Sequence, residues 1–454
     1  MFSHTFPFVP DNPFSFWQTL HKNPQTGFVL GSGAATENDH VMYMSVEEPT
    51  QAWGAGSVFK KDPLQKLKQK FKDERDTMGS FPRFVGFVGF EAGRTFDPGI
   101  RRLEEKPPSL KLPIVSFAEY KAVLKLDFLK QETTLAVFDP QSIAKAKTLV
   151  EKIKRTWVSE IKKPLCSQVE KKGASSSSFQ EEFFFEDMDS FARKVEKTKN
   201  AIKEGDIYQA NISVQFSRSF SGNPVALYEN VCKKNPSPYA CLLKQSSFWI
   251  VSCSPELLLK VEGEDVSTRP IAGTRPRGDS SQADRAEAGR LLLSPKERAE
   301  HIMLVDLARN DLGRVCRPGS VRVAESYVIE RYSHVMHIVS DVRGRMMKRK
   351  DALDALRAVF PGGTITGCPK IKSIEIISNI EGEAREPFFG SAGYLAWNGD
   401  TKFNILIRTA VIKNNKIMIR AGAGIVADSQ PKREYREVLA KAQVLLESVI
   451  ETER

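Results

Sequence analysis

Hydrophobic spacing divides the chain into segments of two kinds. In ERAEHIMLVDLARNDLG (297–313), Ile302, Met303, Val305 and Leu307 recur at helical spacing, and SIAKAKTLVEKIKRTWVSEI, DMDSFARKVEKTKNAIKEG and KREYREVLAKAQVLL read as further helices. The third of these ends at Gly205, a glycine stop. FVGFVGFEAG (84–93) alternates glycine with large apolar residues, as suits a strand closely approached by another layer. LKLPIVSFAEYKAVLKLD, TTLAVFDP and DIYQANISVQFSRSF also read as strands. FFGSAGYLAWNGDTKFNILIRTAVIKNNKIMIRAGAGIVADSQP reads as three strands turning at AsnGlyAsp and AsnAsn, with Arg408 inside the second and Gly422 to Gly424 closing the third.

The pattern breaks at KKPLCSQVEKKGASSSSF, a polar stretch with four consecutive serines that cannot build a core. It divides the chain into an N-terminal lobe (1–161), a polar linker (162–187) and a C-terminal domain (188–454). Glycine motifs and paired charges concentrate in the last part. There the chemistry is expected.

Charge placement adds candidates. Glu297 and Glu300 share one helical face, and Glu434 and Glu437 form a second such pair with Lys441 one turn further on. Four carboxylates on two helices suit a hard cation such as Mg2+, which keeps waters and substrate oxygens among its ligands. Acidic spacing of this kind ordinarily marks solvated helix faces, and spacing alone does not choose between the readings. An arginine inside an apolar strand, as Arg408 is placed here, is costly to bury unless an anion pairs with it.

STRPIAGTRPRG (267–278) reads as a rigid turn carrying three arginines. On a strand, His334 and His337 fall on opposite faces and do not share a metal; either is a candidate acid or base, although a lone histidine is as a rule structural. FPGGTITGCPKIKSIEIISNIEG (360–382) runs from a glycine-rich turn into a helix with Pro369 at its first position, aiming backbone N–H groups and hydroxyls at one spot suited to a carboxylate or phosphate. It is not a nucleotide phosphate loop, because its lysine is not followed by Ser or Thr.

Composition limits the alternatives. With 41% hydrophobic and 27% charged residues, 454 residues bury a sizeable core unaided. The net charge of +11 favours an anionic partner, and a basic polyanion-binding scaffold is the non-enzymatic alternative. The basic residues are scattered and carry no nucleic-acid signature, so an acidic small molecule is the better fit and no nucleic acid is expected. Six cysteines without a CxxC pair read as free thiols. No leader pattern and no run of about 18 apolar residues occurs, so no membrane partner and a cytoplasmic location are expected.

PIAGTRPRG, ERAEHIMLVDLARNDLGRV, RYSHVMHIVS, PGGTITGCPKI, NILIRTA and AGAGIVADSQPKREYREVLAKA, in this order, resemble the chorismate-utilising enzymes: anthranilate synthase component I, aminodeoxychorismate synthase component I and the isochorismate synthases. The resemblance implies an α+β fold of two large, mostly antiparallel sheets packed face to face with helices outside. It implies Mg2+ held by Glu300 and Glu437, with Glu297 and Glu434 as outer or alternative ligands. Arg408, Gly424, Thr364 and the Gly363 turn would receive the enolpyruvyl group and its carboxylate. His337 would be the acid/base, and Lys441 would balance charge.

Gln209 stands where the hydrating members resemble one another in carrying a lysine base, so ammonia becomes the implied attacker. The chain shows no amidotransferase segment, which implies a separate glutamine amidotransferase subunit as ammonia source. Ala272 stands where well-known aminodeoxychorismate synthases have a nucleophilic lysine, as in anthranilate synthases. Phe388 stands where the anthranilate branch offers a tyrosine hydroxyl. The expectation is amination to 4-amino-4-deoxychorismate for 4-aminobenzoate and folate, with anthranilate formation for tryptophan as the alternative and hydration to isochorismate behind both.

Overall fold

The computed structural model describes residues 1–21, 25–33, 40–55, 64–73, 79–138, 143–161, 182–332 and 335–454. Most of the linker and His334 therefore lie outside the described residues. Among those described, the strands form one sheet of 11 and a second of 10, and each pairing is antiparallel. The expected α+β architecture holds.

The N-terminal strands do not form a lobe of their own. In the first sheet Thr26–Leu30 pairs with Tyr239–Gln245, and in the second Pro82–Val88 pairs with Ser391–Ala396. Strands from both sides of the compositional break thus share each sheet. The break is therefore not a boundary between cores. Between the sheets, Phe28, Ile250 and Met418 of one pack in a common cluster with Phe84, Leu259 and Phe403 of the other. Phe87 meets Phe248 edge to face at 5.8 Å across this layer, where burial of large side chains contributes most. The outer face of the first sheet buries Val214, Ala423 and Ile425 under Phe191, Val438 and Leu446 of two helices.

The helices start and stop on legible signals. Asp187 caps Met188–Lys203 by accepting from the Ser190 amide at 2.8 Å, and Pro295 opens Pro295–Gly313 behind the Ser294 cap. Pro369 is the cap of Lys370–Glu381 rather than its first residue, and the helix ends on left-handed Gly382. Two local expectations are overturned. STRPIAGTRPRG is not a turn: Asp265–Arg269 and Ile271–Pro276 both pair with Val335–Arg345, which extends the sheet across Pro270. The glycine-rich C-terminal stretch forms four strands, not three: Ser391–Ala396, Thr401–Asn404, Thr409–Lys413 and Lys416–Ile425. Arg408 lies in none of them, because the chain changes sheets between Asn404 and Thr409, and Arg408 takes φ +49° there.

Candidate functional site

Strands Gln209–Ser219, Ile271–Pro276, Val335–Arg345 and Lys416–Ile425, with helices Pro295–Gly313 and Pro431–Glu453, enclose a cavity of about 700 Å³. Glu297, Glu300, Glu434, Glu437, Lys441, Gln209, Ala272, His337, Thr364, Arg408 and Gly424 all line it. Segments more than two hundred residues apart in sequence therefore meet at one place.

The two acidic pairs face each other. Burial raises the Glu300 carboxyl, and Glu297 on its own helix and Glu437 on the other push it further the same way, while Gln209 and Lys441 oppose. Glu434 is also raised, by burial first and then by Glu437. Lys441 bridges to Glu437 at 2.8 Å and donates to the Gly422 carbonyl at 3.1 Å. Among the described residues no three acids, histidines or cysteines converge closely enough to hold an ion unaided. The donor set is nevertheless all hard oxygen, and like charges that raise one another's pKa are what a divalent cation relieves.

His337 is buried in the same wall. Its Nδ1 lies 3.1 Å from the Gly273 carbonyl and 3.0 Å from Thr274 Oγ1. A carbonyl only accepts, so Nδ1 carries the proton and Nε2, which has no partner, presents a lone pair. Burial, followed by Arg408 and Lys441, pulls its pKa down to about 3. The ring is neutral at physiological pH, with the Nε2 lone pair left to face the cavity wall.

Arg408 makes no salt bridge to a described residue, although burial lowers its pKa from a very high ordinary value. A desolvated guanidinium without a carboxylate is an open receptor for one. Gln209 Oε1, Asn211 Oδ1 and Arg275 Nε are likewise buried in the wall without partners. Such atoms are costly in an empty protein and are explained by a polar ligand.

Two expected residues lie elsewhere. A Cβ on Gly363 would sit 2.4 Å from Leu307 Cδ2, so Gly363 admits the helix side chain instead of lining the main cavity. Phe388 is sealed in the intersheet core, and its neighbour Phe389, at φ +62°, reaches the cavity in its place.

Glu256 escaped the sequence reading. It lines the cavity, accepts from the Ile271 amide at 3.4 Å, and is pushed by burial up to about 7 against the opposing pull of the Thr364 hydroxyl, Ile271 and Lys441. Nothing in SPELLLK marks this glutamate as special, because its signal is a burial that only the fold creates.

The family described as chorismate binding enzyme matches residues 18–447. The chain is 40% identical over 398 residues to aminodeoxychorismate synthase component 1 of Bacillus subtilis (strain 168), covering 86% of this chain and 83% of that one. It is 39% identical over 412 residues to anthranilate synthase component 1 of Aquifex aeolicus (strain VF5), covering 86% and 79%. Its fold superposes on the crystal structure of anthranilate synthase component I from Streptococcus pneumoniae TIGR4 with a TM-score of 0.76 at 29% identity, covering 92% of each chain.

Proposed function

The chain belongs to the chorismate binding enzyme family, and from that premise we propose that this chorismate-utilising enzyme aminates its substrate to 4-amino-4-deoxychorismate, with ammonia supplied by a separate glutamine amidotransferase subunit. The observation that carries amination over hydration is Gln209. Its neutral amide donates to Glu300 at 2.8 Å and cannot take a proton from water as the lysine of the hydrating members would. The PGGTITGCPKI, YQANIS and NILIRT segments favour the aminodeoxychorismate branch.

In this reading Arg408, with Thr364 and the backbone at Gly424, takes the enolpyruvyl group and its carboxylate. Glu300 and Glu437, backed by Glu297 and Glu434, hold Mg2+, which when bound supplies an anchor and charge neutralisation for the ring carboxylate. Glu256 keeps its proton close to neutrality and gives it to the departing C4 hydroxyl, which leaves as water. Nitrogen bonds to the ring, and the proton it sheds returns to the vacated Glu256 carboxylate, which holds a proton more strongly than His337 does. Ala272 offers no nucleophile, so the chain itself forms no covalent adduct at C2.

The alternative, anthranilate formation, rests on that same Ala272, which matches the anthranilate branch. Incubating the protein with chorismate, Mg2+ and ammonium at mildly alkaline pH, then separating products, decides. Aminodeoxychorismate, converted to 4-aminobenzoate by added lyase, is expected. Anthranilate alone overturns the branch, and isochorismate overturns amination. Glu437→Gln is expected to abolish most Mg2+-dependent turnover without loss of fold, and full activity in that variant removes Glu437 from the site.

A further inference from the structure

Against the helix Lys370–Glu381 lies a second cavity, of about 420 Å³, walled by that helix, by residues 383–386 beyond it and by the stretch 90–114. It shares no lining residue with the substrate cavity, and its volume falls in the range of small-molecule sites, roughly 300–1,000 Å³. Phe90, Ile100, Leu112, Pro361, Ile374 and Ile377 make its sides apolar. The charges that line it cancel in pairs until two are left. Lys106 meets Glu104 at 2.6 Å, Arg94 meets Glu105 at 4.0 Å, Arg385 meets Glu381 at 2.7 Å, and Glu383 is taken by Arg420. Glu91 and Glu386 remain. Glu386 accepts from the Leu110 and Leu112 amides at 2.7 and 3.0 Å, and Glu91 accepts from the Arg385 and Glu386 amides at 2.7 and 3.0 Å. Neither carboxylate forms a salt bridge with a described residue, although Glu386 is more than nine-tenths buried. Burial, with Glu386 adding its charge, pushes Glu91 up to about 7. In a protein of net charge +11, two acids left over beside a cavity ask for a cation from outside.

We propose that this cavity is a second ligand site, which takes a protonated primary amine carried on a compact apolar body and thereby tightens the binding of chorismate next door. The ammonium group completes the ion pairs of Glu91 and Glu386, and the body displaces water from the apolar sides. One stack joins the two cavities. The Arg385 guanidinium lies over the Phe90 ring at 4.8 Å and over the Phe389 ring at 4.5 Å. Phe90 lines the second cavity and Phe389 the substrate cavity, so a body packed on the first ring steadies the second. The ammonium charge also offsets two carboxylates that repel a dianionic substrate. Both effects favour chorismate, and chorismate in turn favours the amine by the same factor.

The test is calorimetric titration of the full chain at fixed ionic strength with 2-phenylethylammonium chloride, with methylammonium as the control that lacks the body and 3-phenylpropionate as the control that reverses the charge. A Kd of roughly 0.1–1 mM is expected for 2-phenylethylammonium, with methylammonium at least about tenfold weaker and 3-phenylpropionate not bound. Glu386→Gln removes one of the two charges, and Ser378→Phe fills the cavity from the helix while leaving both carboxylates in place; each should weaken the amine about tenfold or more. Ser378→Phe decides the matter if Glu386→Gln does not fold. Saturating 2-phenylethylammonium should lower the KM for chorismate about fivefold in the parent protein and leave it unchanged in Ser378→Phe. No binding, equal binding of all three probes, or binding indifferent to Ser378→Phe overturns the site. Binding with an unchanged KM for chorismate overturns the coupling and keeps the site. The titration needs no turnover, so its failure leaves amination standing, and anthranilate or isochorismate as the product leaves the site standing.

Discussion

Two buried glutamates show how the same side chain serves opposite ends. Burial pushes against the charge of Glu381 as it does against that of Glu256. Arg385 nevertheless donates to Glu381 at 2.7 and 2.8 Å, Arg420 adds its charge, and Ser213 donates through both N–H and hydroxyl, so the carboxyl is held down to about 2. Glu256 has an amide and a nearby hydroxyl but no cation at bonding distance, and it rises to about 7. The first cluster is nearly closed: its ions answer one another, with only Arg420 Nη1 short of a hydrogen bond, and bind the helix Lys370–Glu381 to the strand Gln209–Ser219. The second is open, with orphaned atoms facing a cavity. Satisfaction marks architecture around Glu381, and its absence around Glu256 leaves a place open to a ligand.

The sharpest way to break this comparison is to open the closed cluster. Arg385→Met strands Glu381 as an unpaired buried charge and is expected to cost about 3–5 kcal/mol in denaturant unfolding. A loss under about 1 kcal/mol would show that the network is incidental, since that is the range of exposed pairs. Glu256→Gln should do the reverse, leaving unfolding unchanged at pH 4 and making it harder near pH 7, where the buried charge is lost, while lowering kcat about a hundredfold or more, as removal of a general acid does.

The two carboxyls also pull stability in opposite directions with pH. Glu381, depressed below its ordinary value of 4.5, stabilises the fold above that value and loses its contribution as pH falls toward about 2. Glu256, held neutral, weakens the fold as pH rises from 4.5 toward about 7 and its charge is forced into the interior. At fixed free ammonia, kcat/KM for chorismate should therefore decline as pH rises through about 7. The neutral His337, titrating near about 3, should impose no acid limb above pH 5 or so. The smallest effect is at Thr364. Its hydroxyl reaches only Glu256, and without a well-formed hydrogen bond, so Thr364→Val should leave the melting temperature nearly unchanged while the KM for chorismate increases several-fold, the value of one hydrogen bond.

The legible parts of the site were those carried by continuous pattern. Glu297 and Glu300 sit three apart on a helix whose apolar residues announce it, and Glu434, Glu437 and Lys441 repeat the arrangement, so their faces followed from spacing and their meeting from family resemblance. Arg408 was recognised as a buried cation, but its place was misread, because a chain that leaves one sheet and enters the other looks locally like one long strand. Phe388 and Phe389 are indistinguishable by hydrophobicity; a positive φ at the second decides which ring reaches the cavity. Glu256 is a single acid among leucines, and only nonlocal packing reveals it. The sharing of both sheets by early and late strands was likewise illegible, because pairing between Thr26–Leu30 and Tyr239–Gln245 leaves no mark in either segment alone.

That shared pairing sets how the protein can be cut. Removing everything before residue 162 would strip Tyr239–Gln245 and Ser391–Ala396 of a neighbour each, baring two rows of backbone donors and acceptors above an apolar layer. Such edges recruit other chains, so the truncated half would precipitate instead of working slowly. The segment poorest in chemistry is thus what keeps the catalytic half soluble, and any attempt to minimise this enzyme has to shorten its loops and leave its first third in place.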